Sequence, residues 1–130
     1  MCVYNDAAET EKLRARKKPI AAWKVLERDG RTVFVWGSEP YGPGTNCAKG
    51  IKYKTCYLAG YPHGLHVYRN KRLARLYHAT GGYNFVRVFV NPADVIAADG
   101  SEIAATRLHI DFGDWLAAGF PRRVVRRRYI

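Results

Sequence analysis

Cysteine and histidine are the residue types in this sequence best suited to chemistry, and two of them stand at informative positions. Cys2 follows Met1, so removal of Met1 would leave an N-terminal cysteine whose amine can act as base for its own thiol. His66 alternates with aliphatic neighbours and points to the opposite face of a strand, where it could hold a ligand or shuttle a proton together with Tyr68. A small terminal residue and a hydrogen-bonded structural histidine explain the same positions. We therefore assign no catalytic residue and keep Cys2 and His66 only as candidates.

Two cysteines and two histidines within twenty residues have the ligand chemistry of a zinc site: Cys47, Cys56, His63 and His66. Eight residues separate the two cysteines, whereas about two to four separate them in zinc knuckles, so closing the loop costs more entropy. We predict that Cys56 faces a core, that the histidines make local hydrogen bonds, and that no metal or other cofactor is bound. The odd number of cysteines also argues against a disulfide framework.

Positive charge is the strongest compositional signal, with a formal net charge of +11 that is unevenly distributed. No acidic residue occurs between Pro40 and Ala93. This asymmetry creates a field that attracts polyanions, so we predict nucleic acid or a nucleoprotein surface as the partner, although a basic surface that serves only solubility would look the same. The predicted contacts in this stretch are Lys49, Lys52, Lys54, Arg69, Lys71, Arg72 and Arg75.

The C-terminal segment 122–130 alternates arginines with apolar residues and is either an edge strand or a mobile arm. Guanidinium forks match phosphate and carboxylate oxygens in pairs, so its arginines are further predicted contacts. Tyrosines among the cations, Tyr53, Tyr57 and Tyr68, could stack on bases or pack at a protein interface. The arginines concerned are Arg122, Arg123, Arg126, Arg127 and Arg128.

The length of 130 residues favours a single domain with one core. No apolar run approaches the roughly 18 residues of a membrane span, and the N-terminus lacks a signal-peptide pattern. We therefore expect a cytoplasmic protein with no membrane partner. The sequence does not decide its oligomeric state.

The first half of the chain predicts a helix, a hairpin, a loop and a strand. Asp6 can cap a helix over 7–16. An Asp-Gly turn at 29–30 joins strands over 20–28 and 31–36, with Trp23 and Val25 on one face. The many glycines and prolines of 37–50 predict a surface loop, and alternation over 51–57 predicts a strand.

The second half is organised by a strand at 65–68 that leads into a helix capped by Asn70. We expect this helix, at about 70–80, to turn Leu73, Ala74, Leu76 and Tyr77 inward. A central strand follows over 83–91, then a hairpin of 94–98 and 102–110, and a short helical turn from residue 113 or 114 to 118. The order of elements predicts an α+β fold with a mixed, mainly antiparallel sheet, two hairpins, one main helix and short terminal helices.

The sequence resembles a family of uncharacterised small proteins common in bacteriophages and bacterial genomes. The resemblance covers most of residues 1–111 and rests on the opening Met-Cys, residues 24–26, the Tyr-Gly-Pro-Gly run at 41–44, the Gly-Leu-His-Val-Tyr run at 64–68, and residues 86–97. It implies an accessory role inside a bacterial host, such as antagonism of a defence system like CRISPR. The basic segment 122–130 lies outside the shared pattern.

The chain is also similar to the middle of ADP-ribosyltransferase-like folds, in which a strand leads into a helix and then into a valine-rich strand. It lacks their Ser-Thr-Ser triplet, and Glu102 follows a turn where their catalytic glutamate would follow the last strands. We therefore expect a non-enzymatic protein that binds a polyanionic partner. The alternatives are a small enzyme of this fold, with a site near His66 and Tyr68, and a structural or self-associating phage protein.

Overall fold

The computed structural model describes Val3 and residues 5–32, 40–47, 64–78 and 81–121. These residues form an α+β domain that is mostly sheet, as the sequence predicts. The elements are α1 (Ala7–Arg14), β1 (Ile20–Leu26), β2 (Gly44–Cys47), β3 (Leu65–Tyr68), α2 (Lys71–Tyr77), β4 (Asn84–Val90), a 3-10 turn (Pro92–Asp94), β5 (Val95–Ala98), β6 (Glu102–Ala105), β7 (Arg107–Ile110) and α3 (Phe112–Ala117).

The strands pair in the order β2-β7-β4-β1-β3-β6-β5, and every pairing among the described strands is antiparallel. The longest ladder joins β1 to β4, from Ile20 opposite Val90 to Leu26 opposite Asn84. β4 therefore lies inside the sheet, between β7 and β1, which confirms the prediction from its nearly continuous apolar sequence.

The sheet must curl strongly, because Thr106 alone separates β6 from β7 although four strand intervals lie between them in the sheet order. On a flat sheet these strands would lie roughly 19 Å apart, whereas two residues of chain span at most about 7 Å. The sequence predicts one strand over 102–110, and this prediction is wrong. The backbone N–H of Thr106 instead donates to the carbonyl of Asp94 at 2.9 Å, which interrupts the strand at the bend.

Residues on the inner face of this curled sheet form the main core. Every described strand except β2 contributes residues to this face, mostly alternate ones, and it is completed by Leu13 of α1, Trp115 of α3, Phe120 beyond α3, and Tyr41. The Trp115 and Phe120 rings stack with centroids 4.0 Å apart. Burial of this face removes water from aliphatic side chains of strands at both ends of the sheet, and this supplies the largest stabilising contribution to the fold. Its strand residues are Ile20, Ala22, Leu26, Leu65, Val67, Val86, Val88, Val90, Val95, Ala98, Ile103, Ala105, Leu108 and Ile110.

The predicted loop over 37–50 contains a strand where the structure describes it, so the prediction is wrong at β2. The Asn46 side chain accepts from the backbone N–H of Gly42 at 3.0 Å and donates to the Gly42 carbonyl at 2.9 Å, which fixes a tight turn. Gly44 has a φ of 94°, a conformation that glycine adopts without strain. Pairing of β2 with β7 then outweighs the local composition.

Most of the other predicted elements are present. Asp6 caps α1 by accepting from the N–H of Glu9 at 3.2 Å. β5 and β6 form the second hairpin. The Asp-Gly turn is also present, with Gly30 at a φ of 84° and a bridge between Leu26 and Thr32. The second arm of that hairpin beyond residue 32 and the predicted strand over 51–57 lie outside the described residues.

Candidate functional site: the outer face of the sheet and helix α2

Helix α2 lies over β1 and β3 on the outer face, the face opposite the main core. Asn70 caps it, because the Asn70 side-chain oxygen accepts from the backbone N–H of Leu73 at 2.9 Å. Ala74 of α2 is fully buried where the helix contacts the sheet, in an apolar cluster with Val25 and Tyr68 that is separate from the main core. This arrangement confirms the prediction that a strand leads into a capped helix at this point.

The orientation of α2 differs from the prediction that Leu76 and Tyr77 point inward. Leu76 is 70% exposed and Tyr77 is 49% exposed. The cause is the helical period: at about 100° per residue, Leu76 lies roughly 200° around the helix from the buried Ala74. Tyr77 lies at the edge of the contact, where its ring stacks on Tyr68 with centroids 5.7 Å apart.

Three cations share α2 with these exposed apolar side chains. Arg72 and Arg75 are exposed. Lys71 places its ammonium 4.8 Å from the ring centroid of Trp23, a cation–π contact that holds it beside the sheet. We call the residues Lys71, Arg72, Arg75, Leu76 and Tyr77 the helix surface.

Arg69, another predicted contact, already has an anionic partner. Its Nη1 donates to the Glu9 carboxylate at 2.8 Å and to the carbonyl of Asp99 at 3.1 Å. These bonds tie the end of β3 to α1 and to the turn between β5 and β6. Only 22% of the Arg69 side chain is exposed, so it offers little accessible charge, and contact with a partner stays a prediction.

Tyr68 and His78 form a hydrogen-bonded pair beside the helix, with 2.8 Å between the Tyr68 hydroxyl oxygen and Nε2 of His78. Burial raises the pKa of Tyr68 to about 12, helped by the Glu102 carboxylate and Tyr77. Burial and the positive charge of Lys24 lower the pKa of His78. Because Tyr68 is only 9% exposed, little of its ring is open to a stacking base, whereas the Tyr77 ring is open.

His66 lies on the outer face of β3, as the alternation predicts, and is partly exposed. Its backbone carbonyl accepts a hydrogen bond of 2.7 Å from the ammonium of Lys24. Lys24 itself points to the inner face and is 5% exposed, with its ammonium 5.2 Å from the ring centroid of Tyr41. Burial lowers the pKa of Lys24 to about 7, and Glu102 opposes this shift.

The sequence analysis missed the burial of Lys24, for which a signal existed. Lys24 alternates with Trp23 and Val25 and so shares a strand face with Ala22 and Leu26, which a strict period of two would have placed inside. No local pattern predicts the hydrogen bond between His78 and Tyr68. The two residues flank α2, and only the path of the helix brings them together.

A cleft of about 650 Å³ lies on the outer face where β4, β7 and β2 run side by side. Phe89 of β4 stands opposite His109 of β7, and His109 stands opposite Thr45 of β2. Two ion-paired or hydrogen-bonded contacts lie within it, Arg107 with Asp94 at 3.0 Å and His109 with Asp111 at 3.0 Å. The lining residues are Lys18, Pro19, Thr45, Phe89, Asn91, Asp94, Arg107, Leu108, His109 and Asp111.

Most other predicted site residues lie outside the described residues. The described ranges contain fourteen basic and ten acidic residues, so the remaining residues carry +7 of the net charge of +11. Cys47 is exposed on β2, and no group of three metal-ligating side chains occurs in the described part of the chain. The predicted residues outside it are Cys2, Lys49, Lys52, Tyr53, Lys54, Cys56, Tyr57, His63, Arg122, Arg123, Arg126, Arg127 and Arg128.

Comparisons with known proteins identify no relative of this chain. No family model matches the chain, and no curated protein and no solved structure matches it. Across the ranges that the structure describes, no helix is both long enough and apolar enough to cross a membrane.

Proposed function

We propose that this protein binds nucleic acid, either free or within a nucleoprotein complex, through the helix surface. The observation that carries the proposal is the set of exposed side chains on α2: Arg72, Arg75 and the Tyr77 ring are all open to solvent, on a helix without a carboxylate. Cations neutralise phosphates, and an exposed aromatic ring offers a stacking surface for a base.

The surroundings of α2 support the same partner. The helix lies on β1 and β3, and the stretch from Pro40 to Ala93, which includes β2, β3, α2 and β4, contains no acidic residue. A phosphate backbone approaching α2 therefore meets no carboxylate from the helix or from β1 and β3 beneath it, and Glu102 of β6 stands opposite Tyr68 at the edge of this area. The exposed Leu76 adds an apolar contact that a nucleoprotein complex could bury.

The resemblance to phage proteins gives this binding a biological setting. A phage accessory protein that antagonises a host defence complex such as CRISPR would gain by binding the nucleic acid that the complex holds, since a cationic surface attracts phosphates. The helix surface provides the cations and the ring for that role.

Affinity capture from a bacterial lysate, with and without nuclease, tests the proposal. We expect nucleic acid to copurify with the wild-type protein and to be lost after nuclease or in the double variant Arg72→Glu/Arg75→Glu. The matched control is Lys12→Glu/Arg16→Glu, which changes the net charge equally at exposed residues of α1 and the turn after it. Capture of nucleic acid by the α2 variant at the wild-type level would contradict the proposal, as would a wild-type protein that captures none.

A further inference from the structure

We propose that the outer-face cleft is a nucleotide-binding site, in which Phe89 stacks on the base while Lys18, Arg107 and His109 hold the phosphate. The cleft volume of about 650 Å³ falls within the usual range of sites for small organic ligands. The site is separate from the helix surface, and the proposal does not depend on binding there.

The base position is built from planar groups on neighbouring strands. Phe89 is half-buried on the outer face, with Ala21 opposite it on β1 and His109 opposite it on β7. The small side chain of Ala21 leaves space on the β1 side of the ring. The guanidinium carbon of Arg87 lies over the Phe89 ring, 4.9 Å from its centroid, so a base stacks either on the opposite face of the ring or on the guanidinium itself. A phenyl ring flanked by a guanidinium and an imidazole is the kind of surface on which proteins stack nucleobases.

The phosphate position is formed by cations that the fold holds in place. Nε and Nη2 of Arg107 both donate to one carboxylate oxygen of Asp94, at 3.3 and 3.0 Å, and Asp94 is itself buried. The Arg107 side chain is nevertheless 57% exposed, and Arg107 lines the cleft. Lys18 lies just before β1 and lines the same cleft. Guanidinium and ammonium groups together suit a phosphate.

The acceptors in the cleft argue for a whole nucleotide rather than a bare anion. Asp111 and Asp94 carry negative charge, which opposes the binding of an isolated phosphate, whereas Asp111, Asn91 and Thr45 supply acceptors for the hydroxyl and amino groups of a sugar and base. A ligand with a donor-bearing end and an anionic end therefore fits this lining best.

Neighbouring outer-face residues allow the nucleotide to belong to a strand. Arg87 stands opposite Trp23 in the β1–β4 ladder, and the Trp23 ring makes the cation–π contact with the ammonium of Lys71. Alternating rings and cations therefore run along the sheet from the cleft to α2. The shared chemistry is a base with its phosphate, and its source is either a free nucleotide or one unit of a single strand.

Isothermal titration calorimetry with three probes distinguishes these sources: a nucleoside monophosphate, a short single-stranded oligonucleotide and inorganic phosphate. We expect the monophosphate or the oligonucleotide to bind at least about tenfold more tightly than inorganic phosphate. Phe89→Leu should weaken this binding by about tenfold, within the range measured for loss of one stacked base. The same substitution at Phe112, an exposed phenylalanine of α3, is the control and should leave the affinity unchanged.

His109→Ala provides a second variant at an exposed position, so that a folding defect in Phe89→Leu does not decide the result. Binding of the oligonucleotide alone, with the same loss in Phe89→Leu or His109→Ala, supports the proposal with a strand as the source. Inorganic phosphate binding as tightly as the nucleotide would overturn it. So would the absence of binding by both nucleotide probes, or wild-type affinity in both variants. Arg72→Glu/Arg75→Glu should keep its affinity for the monophosphate, which separates this test from that of the helix surface.

Discussion

The two faces of the sheet are built from alternate residues of the same strands, yet their chemistry differs sharply. The inner face carries aliphatic side chains from both ends of the sheet, and Leu13, Trp115 and Phe120 complete it. The outer face carries histidine, arginine and aromatic side chains, many of them exposed, and only part of it is covered by α2. The comparison teaches that one face determines the fold, while the other is free to carry function.

Among the described residues, the inner face carries one buried cation, and the outer face carries two small buried apolar clusters, one of which is formed by Val3, Ala97 and Ala104 at the β5–β6 end. Lys24 is a buried cation on the inner face, where burial lowers its pKa. On the outer face, Val25, Tyr68 and Ala74 form a small buried cluster under α2. The cluster under α2 positions the helix surface, whereas Lys24 reduces the stability of the inner face whenever it is protonated.

Substitution of two adjacent residues of β7 tests the comparison with the largest expected effect. Ile110 is fully buried on the inner face, and His109 is exposed on the outer face. Ile110→Ala should lower the free energy of unfolding by about 3 kcal/mol, since it removes buried methyl groups and leaves a cavity. His109→Ala should change it by less than about 0.5 kcal/mol. Urea denaturation of both variants measures the difference, and similar losses would mean that the two faces are not distinct.

Lys24→Met should stabilise the protein by about 2 kcal/mol at neutral pH. The gap between the usual pKa of lysine and about 7 corresponds to roughly 4 to 5 kcal/mol against the charged form. Loss of the hydrogen bond to the carbonyl of His66 offsets part of this gain. The measurement is the urea midpoint of the wild type and the variant at the same pH.

The pH dependence of the same pair of proteins sharpens this prediction. Because the folded pKa of Lys24 lies below the unfolded one, the unfolded chain binds more protons between the two values, and wild-type stability should rise from about pH 7 to about pH 9. Lys24→Met should lack this rise. A wild-type midpoint that stays flat over that range would show that Lys24 is not a buried, shifted lysine.

Removal of a helix cap has the smallest expected effect on stability and tests what positions the outer face. Asn70→Ala should cost about 1 kcal/mol, because the backbone N–H of Leu73 loses its acceptor. Asp111→Ala is the control, since the Asp111 side chain makes no capping bond to α3. The control should therefore cost less, and equal losses in thermal unfolding would contradict the role given to Asn70.

Elements specified by local sequence were predictable. Alternation at 65–68 followed by Asn70 gives both the strand and the start of α2, because a capping side chain and an apolar period act over a few residues. The hairpin of β5 and β6 follows in the same way from its Asp-Gly turn and apolar arms. The helix and strand content could therefore be predicted over much of the described chain.

Features that depend on contacts between distant segments were not predictable. β2 forms because it pairs with β7, a strand that lies about sixty residues further along the chain. The glycines and prolines before β2 predict a loop instead. The bend at Thr106 depends on the carbonyl of Asp94. The cleft combines residues from near position 18 to position 111, so no local pattern indicates it. The cations of α2, in contrast, were evident from charge alone.

Binding of purified protein to a single-stranded oligonucleotide at several salt concentrations tests the central claim most directly. If the helix surface contacts phosphates, the logarithm of the affinity should fall linearly with the logarithm of salt, and Arg72→Glu/Arg75→Glu should reduce the slope by roughly 1.4, about 0.7 for each lost contact. Lys12→Glu/Arg16→Glu should keep the wild-type slope. Equal slopes for the wild type and the α2 variant, or an equal reduction in the control, would contradict the account.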